Sequence, residues 1–210
     1  ISDQFRSAQD TVNPRAAVIY NPPVLWLDDS TFKFVYGTAF RAPNVRELIF
    51  NSELEAETTS SYEFIVERQW GASFRHEVLP ERAQYVRATL ALFYNDIDDL
   101  IAFDAAAQEL RNLQTARSMG VEAALIGYFA GTPLLSGGYG MYQASLSYTY
   151  QETEDPDTGR TLTDSPHHLG KAMVSAPLVG NNWFLTAEYQ YTSERTTPKG
   201  ATAPGYGVAN

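Results

Sequence analysis

The sequence predicts an all-β protein, part of an antiparallel transmembrane β-barrel of which about eight to nine strands are present. Three observations predict it: apolar residues recur with period two, aromatic residues sit at the ends of the apolar runs, and most of the net charge of −10 falls in alternate connections. Period two puts every second side chain on one face of a strand. Aromatic ends with smaller residues between them are the pattern of the girdles that flank a lipid-facing band. A soluble sandwich also alternates, but it has no reason to hang its charge from one rim. A barrel with long outer loops and short periplasmic turns does.

The first strand is expected over 14–20. Phe32, Phe34 and Tyr36, set against Lys33, Val35 and Gly37, mark the second. In the third, Tyr62, Phe64, Val66 and Trp70 oppose Glu63, Ile65, Glu67 and Gln69, with Arg68 the one exception on the apolar side. Weaker patterns predict strands over 86–95 and 118–129. Tyr142, Ala144, Leu146, Tyr148 and Tyr150 then alternate with Gln143, Ser145, Ser147, Thr149 and Gln151. A strand over 169–176 comes next. Trp183, Leu185, Ala187, Tyr189 and Tyr191 alternate with Phe184, Thr186, Glu188, Gln190 and Thr192, and 206–210 opens a ninth strand. Each of the eight supplies close to the nine to eleven residues that cross a bilayer at a tilt. The uncharged stretch 123–151 is no transmembrane helix. Gly131-Thr132-Pro133 and Ser136-Gly137-Gly138 break it, and it reads as two strands joined by a turn.

The connections 41–57, 96–111, 152–164 and 194–199 hold nearly all the net charge and are expected on the cell surface. Those at 22–30, 71–85, 130–138 and 177–182 are the opposite turns. Cysteine is absent, which excludes disulfide scaffolds, thiolate metal sites and cysteine nucleophiles. The acidic balance does not suit a nucleic-acid partner, which calls for basic patches against phosphates. Tyrosine, the commonest aromatic here, suits a membrane interface. The ends, Ile1 and Asn210, carry neither an initiator Met nor a signal peptide, so a segment of a longer protein is expected.

Several motifs resemble one family. Asn13-Pro14-Arg15-Ala16-Ala17, then Phe40-Arg41-Ala42-Pro43 with Glu47-Leu48, resemble strand starts and ends of the TonB-dependent outer-membrane receptors. Glu55-Ala56-Glu57-Thr58 with Ser61-Tyr62-Glu63 is similar to the segment that begins their next strand. Tyr94-Asn95-Asp96-Ile97-Asp98-Asp99-Leu100-Ile101 resembles a strand-to-loop junction, and Ala116-Arg117-Ser118-Met119-Gly120-Val121-Glu122 a recurring strand start. Tyr148-Thr149-Tyr150-Gln151, Ser165-Pro166-His167-His168-Leu169 and Pro204-Gly205-Tyr206 continue in the family's order.

The resemblance implies a barrel of about 22 strands whose lumen is filled by an N-terminal plug. Residues 1–210 would be part of its C-terminal half, with the plug and the final strands absent. It also implies an outer-membrane receptor and transporter for a scarce solute such as a ferric siderophore, cobalamin or another metal chelate. Energy would be coupled through TonB by way of the missing N-terminal region. The implied partners are that small-molecule ligand, TonB, the receptor's own plug domain and outer-membrane lipid. A passive porin-like channel and a surface-binding barrel without active transport are the alternatives.

Phe34, Leu146 and Leu185 are expected to face lipid, and Lys33 and Ser147 the lumen. Arg41, Glu63, Glu67, Glu122 and Glu188 join the lumen set. In an empty pore such residues set ion selectivity. In a plugged barrel they hydrogen-bond the plug, the role expected for Glu63, Glu67, Glu122 and Glu188. Arg41 lies nearest the outer rim and is the candidate for ligand contact.

Other constellations carry less. Asp164, His167 and His168, near Asp155 and Asp157, offer metal-ligand or hydrolase chemistry. Adjacent strand residues point to opposite faces, however, and His76 provides no second acid–His pair, so a polar strand start is expected. Asp155-Pro156-Asp157-Thr158-Gly159 is similar to a calcium loop but lacks its terminal Glu, and reads as a turn. Asp96, Asp98 and Asp99 read as a strand end reaching water. No catalytic residue, metal or cofactor is assigned.

Overall fold

The computed structural model of the chain describes residues 12–71, 84–104, 109–156, 159–197 and 200–210. His76, Asp157, Thr158 and most of the connection 71–85 lie outside the described residues. The alternating segments form β1 (Arg15–Tyr20), β2 (Ser30–Arg41), β3 (Glu57–Gly71), β4 (Tyr85–Asp104), β5 (Glu109–Gly131) and β6 (Gly140–Asp155). After the two-residue β7 (Arg160–Thr161) come β8 (His168–Val179), β9 (Trp183–Thr192), β10 (Arg195–Thr196), β11 (Thr202–Ala203) and β12 (Tyr206–Ala209). The main sheet runs β1-β2-β3-β4-β5-β6-β8-β9-β12, with β7 paired to β6, and every pair is antiparallel. This is an up-and-down meander, and it contains the eight expected strands and the ninth. It does not close on itself: within the described residues β1 pairs only with β2, and β12 only with β9.

The register sorts the side chains into two faces, because directly paired residues of an antiparallel ladder share one. Phe34 pairs with Phe64, Phe64 with Leu92, Leu92 with Val121 and Val121 with Tyr150. Two steps along, Ala88, Leu125, Leu146, Ala172 and Tyr189 form another row of the same face. Tyr36, Tyr62 and Tyr94 cap this face at one end, with ring centres 5.0 and 6.2 Å apart. Trp70, Phe129, Tyr142 and Trp183 lie toward the other. The opposite face carries Lys33, Glu63, Glu67, Glu122, Ser147 and Glu188, as the alternation predicts.

Nothing in the sheet covers the apolar face. Apart from prolines, only Leu54 and Ala116 bury an apolar side chain among the described residues, while Leu146 and Leu185 are 55% and 58% exposed. A sandwich would bury these residues against a second sheet. An uncovered apolar band of this breadth is the kind of surface that the lipid-facing wall of a transmembrane barrel presents.

The strands reach further than the alternation suggests. The stretch 96–111, expected as a loop, is largely strand, since β4 continues to Asp104 and β5 begins at Glu109. Asp98-Asp99 breaks period two in the sequence. In the structure a bulge absorbs the break: Asp99 takes a φ of 57°, and the register shifts between Ile97 and Ile101. At 23 residues, β5 is about twice what a bilayer needs. The excess rises above the aromatic rim, where Asp96, Arg117, Glu152 and Glu154 occupy the face that is apolar below. The other connections on this rim are likewise structured. Helix α1 (Val45–Phe50) sits in the first, and β7 and the β10–β11 pair sit in the later ones.

Candidate functional site

The acidic rim is built around Arg41 and the connection beyond it. Arg41 and Glu57 end β2 and begin β3 directly opposite each other, five residues beyond the Tyr36–Tyr62 pair. Their forks meet bidentately: Arg41 Nε and Nη2 donate to the two carboxylate oxygens of Glu57, both at 2.6 Å. Arg41 Nη1 donates to Glu47 of α1 at 3.2 Å. Glu57 also accepts the Ile101 N–H of β4 at 2.9 Å. One guanidinium thus ties a helix to two strands through the planar geometry that favours arginine over lysine.

Helix α1 begins at Asn44 because Ala42-Pro43 stops the strand and Asn44 caps the first helical turn. The Asn44 side chain accepts the Glu47 N–H at 3.0 Å, and the Glu47 carboxylate accepts the Asn44 N–H at 2.8 Å, a reciprocal capping box. Past the helix, Asn51 Nδ2 donates to the Leu110 carbonyl at 2.7 Å. Asn112 accepts the Glu55 N–H at 2.8 Å and donates to the Asp99 carbonyl at 2.6 Å. The loop is therefore held in place on the β4–β5 extension. It presents Val45, Ile49 and Phe50 outward, with Ile49 77% exposed.

The hydrogen bonds from Arg41 hold the Glu57 carboxyl below the usual carboxylate range; burial pushes it the other way, and the Ile101 N–H adds to the lowering. A carboxylate whose folded pKa is depressed contributes stability that is complete above its unfolded value, about 4.3, and is lost as pH falls through the folded value. A spin label at position 49 of the full-length receptor is accordingly expected to stay immobile from pH 7 down to about pH 5 and to loosen below about pH 4. Glu57→Gln is expected to loosen it already at neutral pH. A label equally immobile in both proteins at every pH would show that the clamp does not hold the helix.

On the polar face, Lys33 pairs with Glu67 at 2.8 Å and Lys171 with Glu188 at 2.9 Å. Glu63 and Glu122 have no hydrogen-bond or ion-pair partner among the described residues. The two histidine rings both stand beside Tyr150, but their ring nitrogens take different partners. His168 Nδ1 lies 2.7 Å from the Tyr148 hydroxyl, and the ring also meets Tyr150. His167 Nδ1 lies 3.0 Å from the Gln151 carbonyl. Asp164 pairs with Arg195 at 3.5 Å. Among the described residues no three His, Cys, Asp or Glu side chains converge on one point. Asp96 accepts the Tyr94 hydroxyl at 3.1 Å and pairs with Arg117, which also reaches Glu154 at 3.8 Å.

Of these residues only Arg41 is a site candidate from the sequence; Glu47, Glu57 and Arg117 appear there only within the family motifs, and Asn112 does not appear. For Glu47 a signal was present, since Asn44 with Glu three residues later is the capping-box spacing. The partners of the other three follow only from the pairing of separate strands.

A family model described as "TonB dependent receptor-like, beta-barrel" matches residues 2–210. The chain belongs to that family. The open meander is therefore part of a TonB-dependent receptor barrel. The Phe40–Leu48 motif of this receptor barrel also acquires a physical role. Its Arg41, Pro43 and Glu47 end a strand, start a helix and fasten that helix to the wall.

Proposed function

We propose that this chain is wall of an outer-membrane importer that takes up a scarce solute, such as a ferric siderophore or a cobalamin, with energy coupled through TonB. The observation that carries this reading is the family match over residues 2–210. The two faces support it: an apolar band suited to outer-membrane lipid, and a polar face suited to a plug. On this reading the acidic rim with α1 faces the outside.

Glu63 and Glu122, unpartnered among the described residues, are proposed plug contacts, with Glu67 and Glu188 beside them and Lys33 and Lys171 balancing that pair. Arg41 is proposed to contact the ligand. It would do so as part of a charge-balanced group with Glu47 and Glu57, next to the outward apolar side chains of α1. Such a mixed surface suits a metal chelate with polar and apolar edges.

Uptake of a radiolabelled ferric hydroxamate and of labelled cyanocobalamin by cells making the full-length receptor tests this, in strains with and without TonB. Saturable uptake of one probe that disappears without TonB is expected. Uptake that rises linearly with concentration and survives loss of TonB would identify a passive channel instead. Arg41→Ala is expected to raise the half-saturating concentration by about tenfold, the effect of one charge-assisted contact, with the maximal rate little changed.

A further inference from the structure

We infer that the apolar face carries a binding site for one anionic glycerophospholipid, its phosphate on Arg68 and one acyl chain in the depression beside it. The inference rests on the reading that this face meets lipid.

Arg68 is the one cation on the apolar face between the two aromatic rims, among the described residues. Its partners across the ladder are Ser30 and Ala88, so the pairing brings no carboxylate to it. Its Nε is buried without a hydrogen-bond partner. The guanidinium carbon lies 5.4 Å from the centre of the Trp70 ring. Trp70 stands one residue from the end of β3, so this stacking turns the charge toward the interface at the rim opposite the acidic loops. A cation in that place is expensive unless an anion meets it, and lipid headgroups are what the interface supplies.

Beside Arg68 the face sinks into a depression of about 340 Å³, and Arg68 forms part of its lining. Ala88 and Ala123 leave the space, and Val66, Leu90, Leu146 and Tyr148 border it. The trough is apolar and continuous with the unpaired cation, so its complement is a molecule with an anionic head and a hydrocarbon tail. An uncharged lipid would fill the trough and leave the guanidinium unpaired. A free phosphate would meet the guanidinium and leave the trough to bulk lipid. Snorkelling of Arg68 to the interface without a retained lipid is the outcome that opposes the proposal.

The test is native mass spectrometry of the full-length receptor in mild detergent, titrated in parallel with phosphatidylglycerol, phosphatidylcholine and diacylglycerol of identical chains. The wild-type protein is expected to retain one phosphatidylglycerol at least tenfold more strongly than diacylglycerol, with phosphatidylcholine between them. Arg68→Gln is expected to abolish the preference, and Arg68→Lys to keep part of it. Ala123→Leu fills the trough without touching the charge, so it decides the matter if Arg68→Gln fails to fold, and it too is expected to lose the retained lipid. A spin label at position 92, on the same face but outside the trough, separates the lipid site from the reading beneath it. If that label is shielded from oxygen dissolved in the bilayer, the face does not meet lipid and both readings fall. If it is accessible while wild type and Arg68→Gln retain the three lipids alike, the lipid site alone is overturned.

Discussion

Valine at position 120 is expected to keep the receptor from assembling. Gly120 lies in β5 directly opposite Phe93 of β4, whose ring covers it. A β-carbon there would stand 2.7 Å from the Phe93 ring and closer still to the Tyr150 carbonyl of β6. The ring can turn away, but the carbonyl belongs to a paired strand and cannot retreat without breaking the β5–β6 ladder. The cost is accordingly at or above the upper end of ordinary overpacking, about 3 kcal/mol or more. Glycine under a cross-strand aromatic ring is also a device that fixes register, which gives the glycine of the Arg117–Glu122 motif a structural reason. The measurement is the amount of heat-modifiable, membrane-inserted receptor in cells. Gly170→Ala serves as the control, because a β-carbon there meets nothing nearer than Tyr191 at 3.9 Å. Equal assembly of both variants would contradict the steric account.

Arginine at Leu146 is expected to destabilise the barrel by about 2–4 kcal/mol, the cost of a cation on the lipid face near the midplane. Leu146 is flanked in its row by Leu125 and Ala172, so no carboxylate is within the ladder to receive the charge. Arginine at Ser145 enters the other face, between Ile126 and Met173, and is expected to cost less than about 1 kcal/mol if that face is wetted or plug-lined. Reversible urea unfolding of the two variants in lipid vesicles measures the difference. Similar losses at both positions would remove the distinction between the faces.

The membrane-spanning part of the fold was legible because its physics is local. Alternation from Tyr142 to Gln151 assigns both faces of β6 without knowledge of its neighbours, and the same holds for β2, β3 and β9. Above the aromatic rim that logic ends, because Asp96, Arg117, Glu152 and Glu154 take the face that is apolar below and alternation no longer sorts apolar from polar side chains. Asp98-Asp99 therefore reads as a loop, although backbone pairing carries β4 through it on a bulge. The candidate site was legible in part. Arg41 stood out as a cation at a strand end, but its two carboxylates come from a six-residue helix and from a strand start sixteen residues on. Only the β2–β3 register brings Glu57 opposite it. Arg68 shows the converse: a break in an otherwise apolar run was visible in the sequence, and its lack of a partner became visible only once Ser30 and Ala88 were known to flank it.

The central claim is that one face of this sheet meets lipid and the other does not. It is tested most directly by a spin-label scan along β6. The chain has no cysteine, so each introduced thiol is unique within it. Single cysteines at 142 through 151 of the full-length receptor in bilayers, labelled one at a time, report contact with dissolved oxygen. The account predicts a period-two oscillation, with 142, 144, 146, 148 and 150 accessible and 143, 145, 147, 149 and 151 shielded. A scan without that period, or with the opposite phase, would contradict it.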